Sequence, residues 1–383
     1  MSAFEKKIDE VITYFREGNS SLGFRRFTDC ILDTGDWNRY RDFIKFYDWK
    51  EQQPQNSAEV AEKAVELLNN LKQSNIKEHV NGEALLTANN VSKRYPGSRF
   101  RLSDVSLQIK TGEVIGLVGE NGNGKTTLLR ILANDLSFDE GDIQYAFSKK
   151  SSDKYELRTK LTYIPQRTPK WHGTLKDNLK LTASHYGIKG NANELLVLMM
   201  IIRFGLWKFR DMKWRELSSG YKMRFELART FLRSPKLLLL DEPLANLDIF
   251  AQQIILEDLK FLSQSLRNPL AIVLSSQQLY EVEKISDEVI FLKEGAFKSF
   301  NESRTGVGEN EGLVFELETG NTREELLQAL SAFEIKDVQF SGGTYLVSIS
   351  GAGSSDVLAS LSAGRIGVKY FRDITHSTRR FFS

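Results

Sequence analysis

Two short segments of this chain contain the residue types that bind phosphate groups and metal ions. Residues 119–127 read Gly-Glu-Asn-Gly-Asn-Gly-Lys-Thr-Thr, and residues 237–242 read Leu-Leu-Leu-Leu-Asp-Glu. Glycines at the spacing of the first segment let successive backbone amides converge on phosphates, and the acidic pair of the second suits Mg²⁺. Together the segments predict a site for a nucleoside triphosphate.

The first segment supplies contacts to the phosphates. Lys125 is expected to reach the outer phosphates, and the hydroxyl of Thr126 to ligate Mg²⁺. A glycine-rich turn that binds nothing is the alternative, but a predicted buried strand precedes the segment and a predicted helix follows it, as a phosphate loop requires. The residues expected to contact nucleotide are Gly119, Asn121, Gly122, Asn123, Gly124, Lys125, Thr126 and Thr127.

The acidic pair predicts the metal site and the activation of water. Asp241 would hold Mg²⁺ directly or through water, and Glu242 would polarise the attacking water, because hydrolysis needs both charge neutralisation and an aligned nucleophile. The alternative is that Glu242 only caps the strand or pairs near Pro243.

The hydrophobic pattern indicates the elements that position these residues. Apolar runs alternate with helical stretches, which predicts an α/β fold with a largely parallel, buried sheet. The predicted strands are 113–118, 160–164, 237–240, 271–274 and 289–292.

Residues 1–80 have helical periodicity and predict an all-α bundle. Capping pairs are expected at Ser2 with Glu5 and at Asn56 with Glu59. The large aromatic side chains of this region predict a packed core, with a docking surface as the alternative.

Residues 313–383 read as strand, helix, strand, strand, helix and strand, with a hairpin turn at 341–343. This order predicts a small α+β domain of ferredoxin type. Polar stretches at 74–83 and 301–312 are expected to be linkers. The predicted domains are therefore 1–80, 84–300 and 313–383.

Composition narrows the class of protein. The chain has 383 residues, of which 41% are hydrophobic, a net charge of +2 and one cysteine, Cys30, expected to be buried. These values predict two or three domains and no specific attraction to polyanions. The longest apolar run, 195–202, is shorter than the ~20 residues of a membrane span, and the N-terminus has no secretory signal. We expect a soluble chain whose membrane role, if any, depends on a partner.

Four further segments make the pattern specific. They are Tyr163-Ile164-Pro165-Gln166, Leu217-Ser218-Ser219-Gly220-Tyr221, Leu244-Ala245-Asn246-Leu247-Asp248 and Val273-Leu274-Ser275-Ser276-Gln277. With the phosphate loop and the acidic pair, their order over residues 84–300 resembles an ATP-binding cassette (ABC) nucleotide-binding domain. The resemblance implies a P-loop NTPase cassette: a mostly parallel sheet with helices, an antiparallel β subdomain and a helical subdomain.

The resemblance also implies roles for individual residues. Tyr95 would stack on adenine, and Gln166 would touch Mg²⁺ and the attacking water and relay the nucleotide state to a membrane partner. Ser218, Ser219 and Gly220 would begin a helix that faces the γ-phosphate bound to a second cassette. Because the chain has one phosphate loop, a homodimer would complete two sites for ATP and Mg²⁺.

The chain departs from the family pattern at three positions. Ser219 stands where the family usually has glycine, Tyr221 where it usually has glutamine, and Gln277 where it usually has histidine. A glutamine can donate a hydrogen bond to the γ-phosphate but never carries positive charge. We expect Glu242, Gln166 and Gln277 to be the catalytic residues and hydrolysis to be slow, since such a lost contact can cost on the order of 10²-fold in rate.

The function that the resemblance implies is the ATPase subunit of a membrane transporter. One cassette followed by a compact C-terminal domain is similar to the ATPase subunits of two-component export systems, so the resemblance favours an exporter over an importer. The chain would be cytoplasmic, on the inner face of the membrane, and would bind a separate transmembrane subunit through an exposed apolar surface at 167–179, including Trp171 and Leu175. A soluble regulatory or non-transport ABC ATPase with slow hydrolysis is the alternative, and no nucleic-acid partner is expected.

The remaining polar residues predict no site. His79, His172, His185 and His376 lack the spacing of metal ligands. The basic and aromatic stretch 371–382 is expected to reflect packing of a final helix with exposed arginines.

Overall fold

Four helices open the chain. The computed structural model describes residues 1–53, 55–74, 76, 78–79, 82–97, 100–148, 154–299 and 312–375. The predicted capping box of Ser2 and Glu5 is present. Asn56 is the N-cap of the fourth helix and contacts the Glu59 carboxylate, as predicted, but its side chain makes no capping bond to the backbone. The helices are α1 (Ala3–Arg16), α2 (Ser20–Thr34), α3 (Trp37–Glu51) and α4 (Ser57–Leu71).

A nine-stranded sheet and its helices follow. In chain order these elements are β1 (Ala84–Arg94), β2 (Arg101–Lys110), β3 (Val114–Val118), α5 (Lys125–Leu132), β4 (Glu140–Tyr145), α6 (Lys154–Lys160), β5 (Leu161–Ile164), α7 (Leu175–His185), α8 (Gly190–Arg203), α9 (Ser219–Phe231), β6 (Leu237–Leu240), α10 (Ile249–Ser263), β7 (Ala271–Ser276), α11 (Leu279–Glu283), β8 (Glu288–Lys293) and β9 (Ala296–Ser299).

The strand order of the sheet is β4-β1-β2-β9-β8-β3-β7-β6-β5. Strands β8, β3, β7, β6 and β5 are parallel neighbours, whereas β1 pairs antiparallel with β2 and β4. The central strands β3, β6 and β7 are buried along their whole length, which explains why their sequences are apolar apart from Ser275 and Ser276 at the end of β7. The predicted cassette, with its parallel sheet and antiparallel β part, is confirmed.

Helices α7, α8 and α9 lie between β5 and β6 in the chain and pack against one another. We call them the helical layer. Their inward side chains, such as Leu179, Met199 and Phe225, are fully buried. The first residues of α9 are thereby positioned by packing rather than by the sheet.

The end of the chain forms a separate four-stranded sheet. Its elements are β10 (Val314–Thr319), α12 (Arg323–Ala329), β11 (Glu334–Ser341), β12 (Thr344–Ser350), α13 (Ser354–Ala363) and β13 (Val368–Asp373). The antiparallel order β11-β12-β10-β13 is the ferredoxin arrangement, which confirms that prediction.

Two predictions about this region need a correction or a note. Phe371 and Arg372 lie on strand β13 instead of a final helix, and Arg372 pairs with Glu283 of α11 at 3.6 Å. The predicted linker at 301–312, apart from Gly312, lies outside the described residues, as do His376 and the later part of the basic stretch.

The four N-terminal helices share their hydrophobic core with the cassette. Residues of α1 to α4 belong to the same buried cluster as the helical layer and α10. Helices α2 and α3 pack against α8, and the rings of Tyr47 and Trp207 meet edge to face with centroids 5.4 Å apart. The aromatic residues of this region therefore form core, as predicted, but part of that core lies against the cassette.

A buried ionic cluster joins the same three parts. Asp29 and Arg26 lie on α2, Arg203 ends α8, and Asp258 lies on α10. One oxygen of Asp258 accepts hydrogen bonds from three arginines, Arg25 at 2.8 Å, Arg26 at 2.8 Å and Arg203 at 3.0 Å. Asp29 accepts from Arg26 at 2.7 Å and also from Arg203. We call these five residues the junction cluster.

Charge pairing sets the ionisation of the junction cluster. Burial by itself raises the pKa of Asp258, but Arg203, Arg25 and Arg26 outweigh it and hold that pKa below the usual carboxyl value. Burial lowers the pKa of Arg26 to about 10, despite its carboxylate neighbours. The stability that Asp258 supplies is therefore present above the pKa of an unfolded aspartate, about 3.9, and is lost as the pH falls through the lower folded value.

Asp258→Asn tests the junction cluster. We expect this change to lower the free energy of unfolding by about 3 kcal/mol at pH 7, because three buried or partly buried arginines lose their shared negative partner. Urea denaturation followed by tryptophan fluorescence measures it. Glu257→Gln is the matched control: its carboxylate is exposed and also pairs with Arg25, at 3.0 Å, so the loss should stay below about 1 kcal/mol. Equal losses in the two variants would contradict the assigned role.

Candidate functional site

The phosphate loop joins strand β3 to helix α5. Gly124 precedes the helix with φ +101°, and a Cβ atom there would lie 2.6 Å from Cζ of Phe100, so only glycine fits. The side chain of Lys125 is almost fully buried and donates to the carbonyl oxygens of Gly119 at 2.6 Å and Glu120 at 3.1 Å. The lysine ammonium is thus held inside the loop, where it can meet phosphate oxygens.

Asp241 follows strand β6 and is held by three hydroxyl groups. Thr126 at the start of α5 donates to its Oδ2 at 2.8 Å, and Tyr163 on β5 donates to the same oxygen at 3.1 Å. Ser275 on β7 donates to Oδ1 at 2.8 Å. Burial, with Asp241 as a further cause, raises the pKa of Tyr163, which keeps its hydroxyl protonated as a donor.

Glu242 is held next to it in a left-handed backbone conformation, with φ +46°. Its N–H donates to Oγ of Ser275 at 2.8 Å. Its carboxylate accepts from the side-chain amide of Gln166 at 3.0 Å and from that of Gln277 at 2.9 Å, and it lies 3.5 Å from Nζ of Lys125. The structure therefore brings together all three predicted catalytic residues.

The donor set fits Mg²⁺. The Thr126 hydroxyl, the Asp241 carboxylate and the amide oxygen of Gln166 are hard oxygen ligands, and Mg²⁺ in such sites is completed by water and phosphate oxygens. The first two already lie 2.8 Å apart. Among the described residues, no group of three or more His, Cys, Asp or Glu side chains offers a competing metal site.

Tyr95 lies beside the phosphate loop. Its hydroxyl is 3.3 Å from Oγ1 of Thr127, and its ring lies 6.4 Å from that of Phe100. Both rings line an open cavity of about 590 Å³ together with Lys93, Arg94, Pro96, Arg101 and Asp139. A flat aromatic surface next to the loop is what stacking of a base requires.

Ser218 is the N-cap of α9, and Ser219 is its first residue. Both side chains are exposed, and Oγ of Ser219 donates to the carbonyl oxygen of Asn246 at 2.8 Å. Gly220 is buried, where an added Cβ would lie 3.2 Å from Cβ of Ala251. These three residues lie at the N-terminal tip of α9, where the two serines are exposed and the glycine is buried.

Residues 167–179 were predicted to expose an apolar docking surface, and this prediction is wrong for Trp171 and Leu175. Leu175 is fully buried, and Trp171 packs inward, where its Nε1 donates to Glu226 of α9 at 2.6 Å and Arg229 covers its ring. Trp171 therefore connects the segment after Gln166 to helix α9, which begins with Ser219 and Gly220. The exposed residues of this segment are largely polar.

Sequence reasoning missed two residues that position the acidic pair, Tyr163 and Ser275. Both stand inside segments that were already singled out. The available signal for Ser275 was a hydroxyl in an otherwise apolar strand, because a buried polar group must find a partner. Tyr163 gave no such signal, since an aromatic residue is common in a strand.

A phosphate loop at the end of a parallel sheet, with an acidic pair after strand β6, defines a P-loop nucleoside triphosphatase. A family model described as ABC transporter matches residues 102–245. The spermidine/putrescine import ATP-binding protein PotA of Mesoplasma florum is 30% identical over 272 residues, which are 71% of this chain and 76% of that protein. The chain therefore belongs to the ATP-binding proteins of ABC transporters, which are ATPases coupled to transport.

A second relative supports the same family, and a solved structure has a similar fold. The Nod factor export ATP-binding protein I of Burkholderia lata is 30% identical over 290 residues, 73% of this chain and 90% of that protein. The fold is similar to that of cbiO1 from Clostridium perfringens, part of an ABC transporter complex, with a TM-score of 0.53, 23% identity and coverage of 59% of this chain and 91% of that one. Within the described residues, every helix is too short or too polar to cross a bilayer.

Ser275→Ala tests the positioning of the acidic pair. The change removes the donor to Asp241 and the acceptor of the Glu242 N–H, so we expect the Mg²⁺ concentration for half-maximal ATPase activity to rise about 10-fold. Ser276→Ala is the matched control, because the Ser276 hydroxyl accepts from the Gln278 N–H at 3.0 Å instead. An unchanged Mg²⁺ dependence of Ser275→Ala would contradict the role.

Proposed function

We propose that this chain binds Mg-ATP between its phosphate loop and acidic pair, and that Glu242 activates the water that attacks the γ-phosphate. The observation that carries this proposal is the convergence on the Glu242 carboxylate of Gln166, Gln277 and Lys125, which come from three separate segments. Glu242 lies within reach of a water in line with phosphates held by the lysine. Bound Mg²⁺ would supply charge neutralisation at the phosphates.

In this proposal each residue of the site has a separate role in ATP binding or hydrolysis. Lys125 binds outer phosphate oxygens, and Thr126 and Asp241 hold the metal side of the site. Gln166 and Gln277 orient Glu242, which accepts the proton of the attacking water. Tyr95 stacks against the adenine ring at the rim of the loop.

We propose a homodimer that encloses two ATP molecules. Ser218 and Ser219 at the start of α9 are exposed, as expected if they serve a partner's nucleotide. Near it, Ile249 and Phe250 at the start of α10 are 70% and 78% exposed. Two large apolar side chains in water next to the tip favour burial against a second copy.

We further propose that the dimer powers a separate transmembrane subunit on the inner face of the membrane, in an exporter. One cassette followed by a compact C-terminal domain supports this direction; the match to an export ATP-binding protein covers 73% of this chain, and that to an import ATP-binding protein covers 71%. Trp171, five residues after Gln166, contacts Glu226 and Arg229 of the helical layer. These contacts would couple the nucleotide site to a membrane partner bound at the helical layer.

Glu242→Gln tests the proposed function. We expect ATP turnover to fall at least about 100-fold, because the amide cannot accept a proton, while Mg-ATP binding persists. Light scattering after gel filtration in Mg-ATP should then show a dimer, and a tagged Glu242→Gln chain should retain a polytopic membrane protein from detergent extracts.

The control for this test is Glu257→Gln, whose carboxylate lies on α10 outside the site. It should turn over ATP as the wild type does and dimerise only transiently. Unchanged turnover in Glu242→Gln, or a variant that stays monomeric in saturating Mg-ATP, would refute the proposal.

A regulatory ATPase with slow hydrolysis is the second candidate, and Gln277 is the observation that favours it. The side-chain amide of Gln277 donates hydrogen bonds of 2.9 and 3.1 Å to the Glu242 carboxylate. Unlike an imidazole, this amide does not titrate. Gln277 therefore adds no pH dependence near neutral pH to the ATP turnover rate of the wild type.

Gln277→His distinguishes the two candidates. We expect turnover to rise by roughly 10- to 100-fold, because imidazolium can stabilise the transition state, and to gain a dependence on pH near the histidine pKa of about 6.5. Gln278→His is the matched control, since that neighbouring side chain is exposed at the start of α11. A fast wild type with no gain in Gln277→His would count against the regulatory role.

A further inference from the structure

A cavity of about 290 Å³ lies where the N-terminal helices meet the cassette. Helices α2 and α3 form one side, and α8, α9 and α10 form the other. Three cationic side chains line it, Arg25, Lys50 and Arg224, and no acidic side chain does. The remaining walls are aromatic or aliphatic, apart from Ser20 and Ser21 at the start of α2.

Arg224 is the cation of this cavity that makes no ion pair within the described residues. Arg25 pairs with Glu257 and Asp258, and Lys50 pairs with Glu51 at 2.6 Å. By contrast, no hydrogen bond or ion pair connects Arg224 to any residue within the described ranges, and its guanidinium only packs 5.3 Å from the ring centre of Tyr221. Burial lowers the pKa of Arg224 more than the negative charges of Asp258 and Asp248 raise it.

The start of α2 adds hydrogen-bond donors to the same cavity. The side chain of Asn19 caps the N–H of Leu22, but the N–H groups of Ser20 and Ser21 have no acceptor in the part of the chain that the structure describes. Their hydroxyls are likewise without a partner there. Free N–H groups at the N-terminus of a 15-residue helix favour negative charge.

We propose that this cavity binds a small anion that carries a phosphate group. The phosphate would lie between Arg224, Lys50 and the first turn of α2, where it would satisfy donors and a charge that the chain leaves unmatched. The apolar walls, which include Phe24 and Tyr47, suit an organic portion of a phosphorylated metabolite.

The site is independent of ATP hydrolysis but adjacent to its machinery. Arg224 lies on α9, five residues after Ser219, whereas Ser20 and Lys50 lie on the N-terminal helices. A bound anion would connect the two parts at a second point, beside the junction cluster. This gives the N-terminal helices a ligand of their own, which nucleotide binding does not require.

The test uses the full chain saturated with Mg-ADP, so that the phosphate loop is filled, at constant ionic strength. Inorganic phosphate is titrated and binding is followed by calorimetry. We expect saturable binding by the wild type and at least fivefold weaker binding by Arg224→Gln and by Lys50→Gln. Lys45→Gln is the matched control: Lys45 is an exposed lysine on α3, outside the cavity, so phosphate affinity should not change.

The position of the anion is checked independently. Crystals of the full chain grown with Mg-ADP and tungstate should show an anomalous peak between Arg224 and the start of α2. Absence of saturable phosphate binding, equal affinity in all variants, or a tungstate peak only elsewhere would overturn the proposal. If Arg224→Gln does not fold, Lys50→Gln alone decides the outcome, since Lys50 lies outside the junction cluster.

Discussion

The arrangement of this molecule depends on one buried carboxylate. Asp258 on α10 accepts hydrogen bonds from three arginines that come from two different helices, and Arg203 carries the connection on to Asp29. Buried charges without partners cost several kcal/mol each, so any displacement of α2, α8 or α10 exposes or unpairs at least one of them. Because α9 packs on α8, the junction cluster also helps to fix the position of Ser218, Ser219 and Gly220 at the start of α9.

Unlike the junction cluster, which consists of ion pairs between helices, the acidic pair is held by hydrogen bonds from side chains at the ends of buried strands. Ser275 on β7 and Tyr163 on β5 lie on either side of β6 and hold Asp241 from both flanks. The same Ser275 oxygen accepts the N–H of Glu242, which stabilises a backbone conformation that glutamate rarely adopts. The two acids are therefore oriented by the sheet itself, before any ligand contributes. Only the amide side chains of Gln166 and Gln277, which lie on loops, are left to respond to a nucleotide.

Local patterns were enough to predict much of this structure. Strand β6 is four leucines, and the phosphate loop has spacing that only one conformation satisfies, so both could be predicted from contiguous residues. The shared core of the N-terminal helices could not, because the partners Asp29 and Arg203 are 174 residues apart. The inward position of Trp171 depends in the same way on Glu226, 55 residues later. Amphipathic periodicity indicates that a face is buried without indicating what covers it.

Two of the three departures from the family pattern, Ser219 and Gln277, have a common physical consequence. Ser219 donates its hydroxyl to Asn246, and Gln277 donates its amide to Glu242, so both side chains are already engaged within one chain. Contact with a γ-phosphate requires each to exchange such a bond for a new one, and the net difference is on the order of 1 kcal/mol per bond. Glycine and histidine at these positions would hold no equivalent hydroxyl or amide bond. In the proposed dimer, closure around ATP would therefore begin from a state in which both side chains are already hydrogen-bonded, and the affinity for ATP would depend on that exchange as well as on the phosphate loop.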